Sequence, residues 1–164
     1  MLFISTLVSA FLVSAMAVHG RSQCAAWIQQ RGHGDFISPQ RPAQNLASSK
    51  GHPGACGAPY KEGEKFVMLW NGIHSNVQIP PSLTGGWVTG GANNNCRKKV
   101  RVYANGRSVD GIVVESGSFS PTQQPIDETT GCSSIAISNQ MMAELGASGS
   151  TTLDVTWQFL DPAV

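Results

Sequence analysis

The segment that most constrains the fold is CRKKVRVYANGRSVDGIVVE, residues 96–115. Apolar and polar side chains alternate along its first half, which is the period of a half-buried strand. Asn105-Gly106 follows, and a two-residue type I′ turn requires positive φ at both positions, which Asn and Gly tolerate. The segment is therefore predicted to be a β-hairpin with a tight turn.

The turn also predicts which residues face each other across the hairpin. Arg101 faces Asp110, and Val102 faces Val109 on the other side of the ribbon. Each such pair contributes roughly 0.2–1 kcal/mol. The second strand ends in an apolar run, as expected inside a barrel or sandwich, and Glu115 follows that run directly. A carboxylate at the end of a buried strand makes Glu115 the first candidate for chemistry.

The composition limits the class of protein. The 164 residues give room for one domain, and the 18 Gly and 9 Pro favour short strands and turns over long helices. Only 13% of the residues are charged and the formal net charge is +1, so nucleic acid is not an expected partner. The one basic cluster, residues 97–101, is interpreted as a solvated strand end.

Residues 1–17 are predicted to be a secretory signal peptide. The run Leu2–Val13 is apolar and uncharged, and Ala15-Met16-Ala17 has the small-x-small form of a cleavage site. No Lys or Arg precedes the apolar run, so a signal anchor is kept as the alternative. We expect a secreted, extracellular protein with no membrane segment after cleavage.

Four cysteines, Cys24, Cys56, Cys96 and Cys132, follow the predicted cleavage site. An even number in a small secreted chain predicts two disulfides, and four cysteines allow three pairings. No two of them lie closer than about thirty residues, so the spacing of a zinc site is missing. We expect neither a metal nor a cofactor.

Two stretches are predicted to be irregular. Gly and Pro interrupt every hydrophobic period in residues 18–53, which predicts a loop-rich N-terminal arm. Residues 116–134 are polar with two prolines, and a loop of that length in a compact domain is usually functional or mobile. Asp127 and Glu128 within it are interpreted as solvated loop charges.

Regular elements are predicted between and after these stretches. Strands are expected at residues 65–70, 135–137 and 152–159, and a short helix at residues 139–145 with Ser138 as its N-cap and Gly146 at C′. Trp87, which lies among glycines in residues 85–91, has two interpretations. It is either an exposed platform on which a sugar stacks or a plug at one end of a barrel.

The chain resembles a known family in three segments. Asn95-Cys96 through VRVYANGRSVDGIVV, then SSIAISNQMMAELG and then LDVTWQF are similar to the C-terminal double-psi β-barrel of the kiwellins. Kiwellins group with the barwin, expansin and RlpA-like barrels. The resemblance implies a mainly β fold: a six-stranded double-psi β-barrel over residues 54–160, with one short helix and a loop-rich N-terminal arm.

The resemblance also implies where a site would lie. In the enzymatic and lipoprotein relatives, a surface groove binds polysaccharide and uses an aspartate after the apolar strand, whose match here is Glu115. A second family aspartate falls at Ala136, and a family cysteine falls at Gly117. Glycoside cleavage needs two groups, so Glu115 is a weak catalytic candidate and is interpreted first as a hydrogen-bonding strut.

The missing cysteine bears on the disulfides. By resemblance, Cys96 would pair with the residue that is now Gly117. The resemblance therefore implies that Cys96 pairs with Cys24 instead, which leaves Cys56 with Cys132.

Kiwellins are associated with plant–microbe encounters, and some bind and inhibit a secreted enzyme of the opposing organism. We therefore expect a secreted, non-catalytic, monomeric protein that binds a secreted protein of an interacting organism. The alternative is an expansin-like protein that binds or modifies cell-wall polysaccharide, and a third possibility is a structural extracellular component. The residues expected to contact the partner lie at or beyond strand ends and are Trp87, Tyr103, Glu115, Phe119 and Asp127.

Overall fold

Six strands close into a barrel in the computed structural model, which describes residues 21–31, 41–88 and 95–164. The predicted signal peptide, residues 1–17, lies outside the described residues. The elements in chain order are β1 (Arg21–Ser22), α1 (Gln23–Gln30), β2 (Arg41–Leu46), β3 (Phe66–Trp70), β4 (Leu83–Thr84), β5 (Lys99–Ala104), β6 (Arg107–Gly117), α2 (Glu128–Ser133), β7 (Ile135–Ser138), α3 (Asn139–Glu144) and β8 (Thr152–Phe159).

The strands follow one another around the barrel in the order β2-β7-β3-β6-β5-β8, and β8 pairs with β2 to close it. The β2–β7 and β3–β6 pairs are parallel, and the other four are antiparallel. Each barrel strand thus has two hydrogen-bonded neighbours and no open edge. The mainly β, six-stranded closed barrel predicted from the sequence is confirmed, with the short β1–β4 pair outside it.

The predicted hairpin is present with its predicted register. Arg101 pairs with Asp110 and Val102 with Val109, and the Asn105 turn residue has a φ of 50°. The Arg101 guanidinium donates two hydrogen bonds to the Asp110 carboxylate, at 2.6 and 2.8 Å, and these bonds lower the pKa of Asp110. Four valines of this hairpin belong to the main core, and one of them, Val102, is fully buried and pairs with Trp157 of β8.

The arm that was predicted to be irregular contains regular structure. Residues 41–46 form the barrel strand β2, although Ala43 is its one buried residue. Its apolar pattern is therefore too weak to indicate a strand, and backbone pairing with β7 and β8 makes it one. Upstream, α1 begins at the N-cap Ser22, whose hydroxyl accepts a hydrogen bond from the Ala25 amide at 3.2 Å.

The predicted helix and one unpredicted helix lie near β7. As predicted, Ser138 caps α3 and Gly146 follows it with a φ of 84°. The structure adds α2 inside the stretch 116–134, so the described chain has three short helices where the sequence predicted one. The sequence does not predict α2 because this helix contains glycine and threonine, which are poor helix formers. Gly131 is nevertheless needed there, because a Cβ would lie 2.4 Å from the Trp70 ring.

The disulfides join Cys24 to Cys132 and Cys56 to Cys96, so the pairing implied by the resemblance is wrong. The first bond ties α1 to α2, which pack against each other. The second ties the segment between β2 and β3 to the turn that precedes β5. The segments that resemble the family do not include α1, so the expected partner of Cys24 followed only from the missing family partner of Cys96. No helix in the described ranges is long and apolar enough to cross a membrane.

Replacing each disulfide by an alanine pair should destabilise the fold to different extents. The bonds close loops with sequence separations of 108 and 40 residues. Chain entropy alone then predicts losses of about 5 kcal/mol for Cys24–Cys132 and about 4 kcal/mol for Cys56–Cys96. Urea unfolding measures both, and peptide mapping without reductant checks the pairing. A cross-linked peptide that joins Cys24 to Cys96 would contradict the structure.

Candidate functional site

Glu115 is held by hydrogen bonds from the chain itself. Its Oε1 accepts from the backbone amides of Ala55 (2.9 Å) and Ser116 (3.0 Å), and its Oε2 accepts from the Tyr60 hydroxyl (3.2 Å). Ala55 and Tyr60 belong to the crossover, residues 47–65, which connects β2 to β3. The carboxylate thus fastens the crossover to the end of β6.

Tyr60 anchors a small apolar cluster beneath the crossover. It is 7% exposed, its ring centroid lies 4.5 Å from that of Phe66, and Val114 completes the cluster with Leu46 at its border. Burial, the negative charge of Glu115 and the hydrogen bond to it raise the pKa of Tyr60 to about 12. Gly54 lets the crossover approach, because a Cβ there would lie 2.6 Å from the Val114 carbonyl oxygen.

A β-bulge sets the position of Glu115. Val67 of β3 pairs with Val113, but Met68 pairs with Glu115, so Val114 is an extra residue in β6. The extra residue joins the cluster under the crossover, and Glu115 takes the place opposite Met68. The bulge therefore creates both the cluster and the tether.

Glu115 ends a row of residues that crosses four strands. Gln44 pairs with Ala136, Ala136 with Met68, and Met68 with Glu115. Ala136 is where the resemblance placed a second aspartate, and it is two strands from Glu115, about 10 Å between Cα atoms. Two carboxyl groups there would lie within reach of one sugar, but alanine supplies no acid, so the row contains one carboxylate.

Met68 also fills the space beside Gly117, where the resemblance placed a cysteine. A Cβ at Gly117 would lie 2.8 Å from the Met68 sulfur. A small cavity of about 230 Å³ opens beside Met68 and is lined in part by Phe119 and Gln44. Phe119, one of the predicted contact residues, is half-buried and packs against the core. Its exposed part borders this cavity.

The structure does not bring the predicted contact residues together. Tyr103 lies on β5 opposite Ser108, and Ser108 is seven residues from Glu115 along β6, so roughly 20 Å separate the two predicted residues. Tyr103 lines a separate groove of about 880 Å³, and its hydroxyl accepts a hydrogen bond from Gln158 at 2.7 Å.

Asp127 has a structural contact of its own. Its carboxylate caps α2 by accepting from the Thr130 amide at 2.8 Å and the Thr130 hydroxyl at 2.7 Å. These two hydrogen bonds lower the pKa of Asp127. The side chain is thus committed to the helix end that the sequence interpretation did not anticipate.

The exposed platform proposed for Trp87 is wrong, because Trp87 is 1% exposed. Its indole nitrogen donates to the Cys132 carbonyl at 2.8 Å, and its ring packs against Trp157 and Phe159 at centroid distances of 5.7 and 4.9 Å. The neighbouring glycine explains the error. Gly86 has a φ of 61° and approaches the Trp70 carbonyl so closely that a Cβ would lie 2.3 Å from it. Glycine here indicates close packing of backbones rather than exposure.

Sequence reasoning missed one surface, the apolar loop, residues 71–82. Ile73 and Val77 are 54% and 43% exposed, more than any other large apolar side chain in the described ranges. The loop is held in place: the Trp70 indole donates to the Ile73 carbonyl (3.2 Å), and Ile126 exchanges backbone hydrogen bonds with both sides of Ser75. The loop has no Asp, Glu, Lys or Arg, and that absence is the signal that could have found it.

No group of three or more His, Cys, Asp or Glu side chains that could hold a metal occurs within residues 21–31, 41–88 and 95–164. The groups that the structure places at Glu115 are the hydrogen-bonded carboxylate itself and a tyrosine, Tyr60, whose pKa is raised.

The tether between Tyr60 and Glu115 predicts sensitivity to alkaline pH. The unfolded chain loses the Tyr60 proton near the ordinary pKa of 10.0, whereas the folded chain keeps it until about 12. Unfolding therefore releases a proton in this window, and the free energy of unfolding falls as pH rises through it. Urea unfolding at several pH values should show a smaller fall for Tyr60→Phe than for the wild type.

The chain contains two tyrosines, which supplies a matched control. Tyr103→Phe removes the other tyrosine hydroxyl and leaves the contact between Tyr60 and Glu115 in place, so it is the control for Tyr60→Phe. Glu115→Gln should lower the pKa of Tyr60, followed by the ultraviolet absorbance of tyrosinate, because it removes the negative charge and leaves the burial. Equal slopes for all variants would contradict the tether.

Comparison with known proteins supports the fold. A Streptomyces papain inhibitor is 22% identical with a TM-score of 0.49, over 76% of this chain and 97% of the inhibitor. An expansin of Clavibacter michiganensis, a mutant in complex with cellohexaose, is 11% identical with a TM-score of 0.50, over 79% of this chain and 52% of its own. The apo form of that expansin is 10% identical with the same TM-score and coverage.

The chain therefore spans about half the length of these expansins. No model of a known protein family and no curated protein matches the sequence. At these identities the likeness concerns the fold alone. Together with the strand order, it places the chain among closed six-stranded barrels of the double-psi type.

Proposed function

We propose that this chain is a secreted, non-catalytic, kiwellin-like protein that acts between host and microbe by binding a secreted protein of the other organism. The observation that carries the proposal is the use of Glu115. Donors from Ala55, Ser116 and Tyr60 engage both of its oxygens, so the matched carboxylate serves the fold.

Glycoside cleavage would require Glu115 to act on the substrate rather than on the crossover. A general acid must reach the leaving oxygen, and a second group must attack or stabilise the sugar. To protonate the leaving oxygen, Glu115 would have to break its hydrogen bonds to the crossover. Ala136 has no group that could attack or stabilise the sugar. A binding role needs neither step.

The apolar loop supports a protein as the partner. Ile73 and Val77 expose branched apolar side chains on a loop that backbone hydrogen bonds already hold in one conformation. A fixed loop loses little conformational entropy on binding, and buried apolar anchors carry most of the energy in protein interfaces. Through the bridge between Ser75 and Ile126 the loop also joins the segment that contains two of the expected contact residues, Phe119 and Asp127.

The two disulfides support an extracellular place of action. Both link segments that are far apart in the chain, with separations of 108 and 40 residues, and they persist only where thiols are not kept reduced. We therefore expect the protein to be stable and active outside the cell. A monomer is proposed separately and does not follow from the disulfides.

The proposal predicts that binding depends on the loop and not on the carboxylate. Immobilised protein is exposed to culture filtrates of interacting microbes, and retained proteins are identified by mass spectrometry. Ile73→Ser with Val77→Ser should reduce retention of the partner at least tenfold, about 1.4 kcal/mol, while Glu115→Gln should retain it. Val164→Ser, at an apolar residue 42% exposed and outside the loop, is the control.

Detection of enzymatic activity that depends on Glu115 would overturn the proposal of a non-catalytic protein. Release of soluble oligosaccharide from cellulose, chitin or peptidoglycan by the wild type, and its loss in Glu115→Gln, would assign the carboxylate to catalysis.

The second candidate is an expansin-like protein that binds polysaccharide, and the groove at Tyr103 favours it. An aromatic ring fixed by Gln158 stands there among hydroxyl and carboxylate groups from Ser108, Thr156 and Asp154, a suitable lining for a sugar. One of the compared expansins was solved with cellohexaose, which makes that oligosaccharide the natural probe.

If this candidate is right, cellohexaose should bind the wild type, and Tyr103→Ala should weaken binding at least tenfold by removing the stacking face. Calorimetric titration measures both. Thr122→Ala, on an exposed residue away from the groove, is the matched control. Absence of binding by the wild type would leave the protein partner as the better proposal.

A further inference from the structure

A second groove, of about 630 Å³, runs between the crossover and the hairpin. One wall comes from crossover residues 58–65, and the other comes from β5, β6 and the turn before β5. We call it the basic groove. The side chains that matter for its chemistry are Pro59, Lys65, Arg97, Lys99, Asp110 and Ile112.

Two cations in the basic groove are available to a ligand. Arg97 and Lys99 are both exposed, and within the described part of the chain neither side chain has a hydrogen-bond or ion-pair partner. The other charges near them are engaged: Lys65 pairs with Glu144 at 3.3 Å, and Asp110 with Arg101 at 2.6 Å. Lys99 interacts electrostatically with Asp110 but forms no hydrogen bond or ion pair with it, so an incoming carboxylate would not have to displace a bonded partner from either cation.

An apolar side chain lies between these charges. Ile112 is 39% exposed and pairs directly with Lys99 across the hairpin, and Pro59 and Val114 extend the apolar lining. A β-branched apolar residue left open beside a cation suits a ligand with an apolar group next to a negative one.

The backbone at Arg97 is held in one position by its neighbours. Its φ of 66° lies in the left-handed region, which is uncommon for a residue other than glycine. The Cys56–Cys96 disulfide precedes it, and its own amide donates to the Val113 carbonyl at 2.9 Å. Both walls of the groove are thus joined covalently next to the residue that would bind the anion.

We propose that the basic groove docks an extended protein segment that carries a carboxylate side chain next to an apolar one. The carboxylate binds Arg97 and Lys99, and the apolar side chain covers Ile112. A uniform polyanion such as nucleic acid or polygalacturonate fits less well, because Asp110 and Glu64 line the same groove and repel a continuous row of negative charge. Among the described residues that line the groove, the two aromatic ones, Tyr60 and Phe66, are 7% and 3% exposed and offer no open face for stacking.

This inference goes beyond the proposed function and rests on it only in taking a protein as the occupant. The basic groove and the apolar loop share no residue, so each can be tested without the other. Failure of peptide binding at the groove would leave loop-dependent capture of a partner untouched, and the reverse holds as well.

The probe is a blocked tetrapeptide of sequence Asp-Ile-Asp-Leu, compared with its uncharged analogue Asn-Ile-Asn-Leu. Titration into isotopically labelled full-length protein, followed by amide chemical shifts, should perturb Lys99 and Ile112 in a saturable way. Lys99→Met should weaken binding at least tenfold, because it removes one of the two free cations. Lys50→Met, an equal change of charge outside the groove, should leave it unchanged.

Three results would overturn the proposal. The first is equal affinity for the charged and uncharged peptides. The second is equal weakening by Lys99→Met and Lys50→Met, which would indicate a general charge effect. The third is tighter binding of trigalacturonate or an oligonucleotide than of the peptide at the same amides, which would assign the groove to a polyanion.

Discussion

The barrel depends on a strand that contributes little to the core. β2 buries only Ala43, yet it must lie between β7 and β8 for the barrel to close. Backbone hydrogen bonds hold it there, and the crossover that leaves it is fastened outside the barrel by Glu115 and by the Cys56–Cys96 disulfide. The hydrogen-bonded carboxylate and the disulfide thus restrain the chain that leaves β2, a strand that itself has few apolar contacts.

In this arrangement, the carboxylate matched by resemblance holds the crossover. Glu115 accepts three hydrogen bonds, two from backbone amides and one from a buried tyrosine. Its neighbours in the row across the sheet are Met68, Ala136 and Gln44, none of which carries a charge. A carboxylate at one matching position of a site carries little functional weight by itself, because the chemistry depends on the other groups around it.

The surfaces left for binding differ in chemistry and in place. The apolar loop is uncharged and held by backbone hydrogen bonds at the side of Trp70, whereas the basic groove carries free cations around one exposed isoleucine. The backbone of each is restrained, the first by its bridge to Ile126 and the second by the disulfide at Cys96. A restrained backbone loses little entropy when a partner binds.

The sequence by itself determined the hairpin, its register, the strands β3, β7 and β8, and the cap of α3, because each depends on the period and turn chemistry of neighbouring residues. Only the tertiary structure decided β2, the disulfide partners, the burial of Trp87 and the tether at Glu115. These features depend on contacts between residues about 40 to 110 positions apart in the chain. A local sequence pattern carries no information about such long-range contacts.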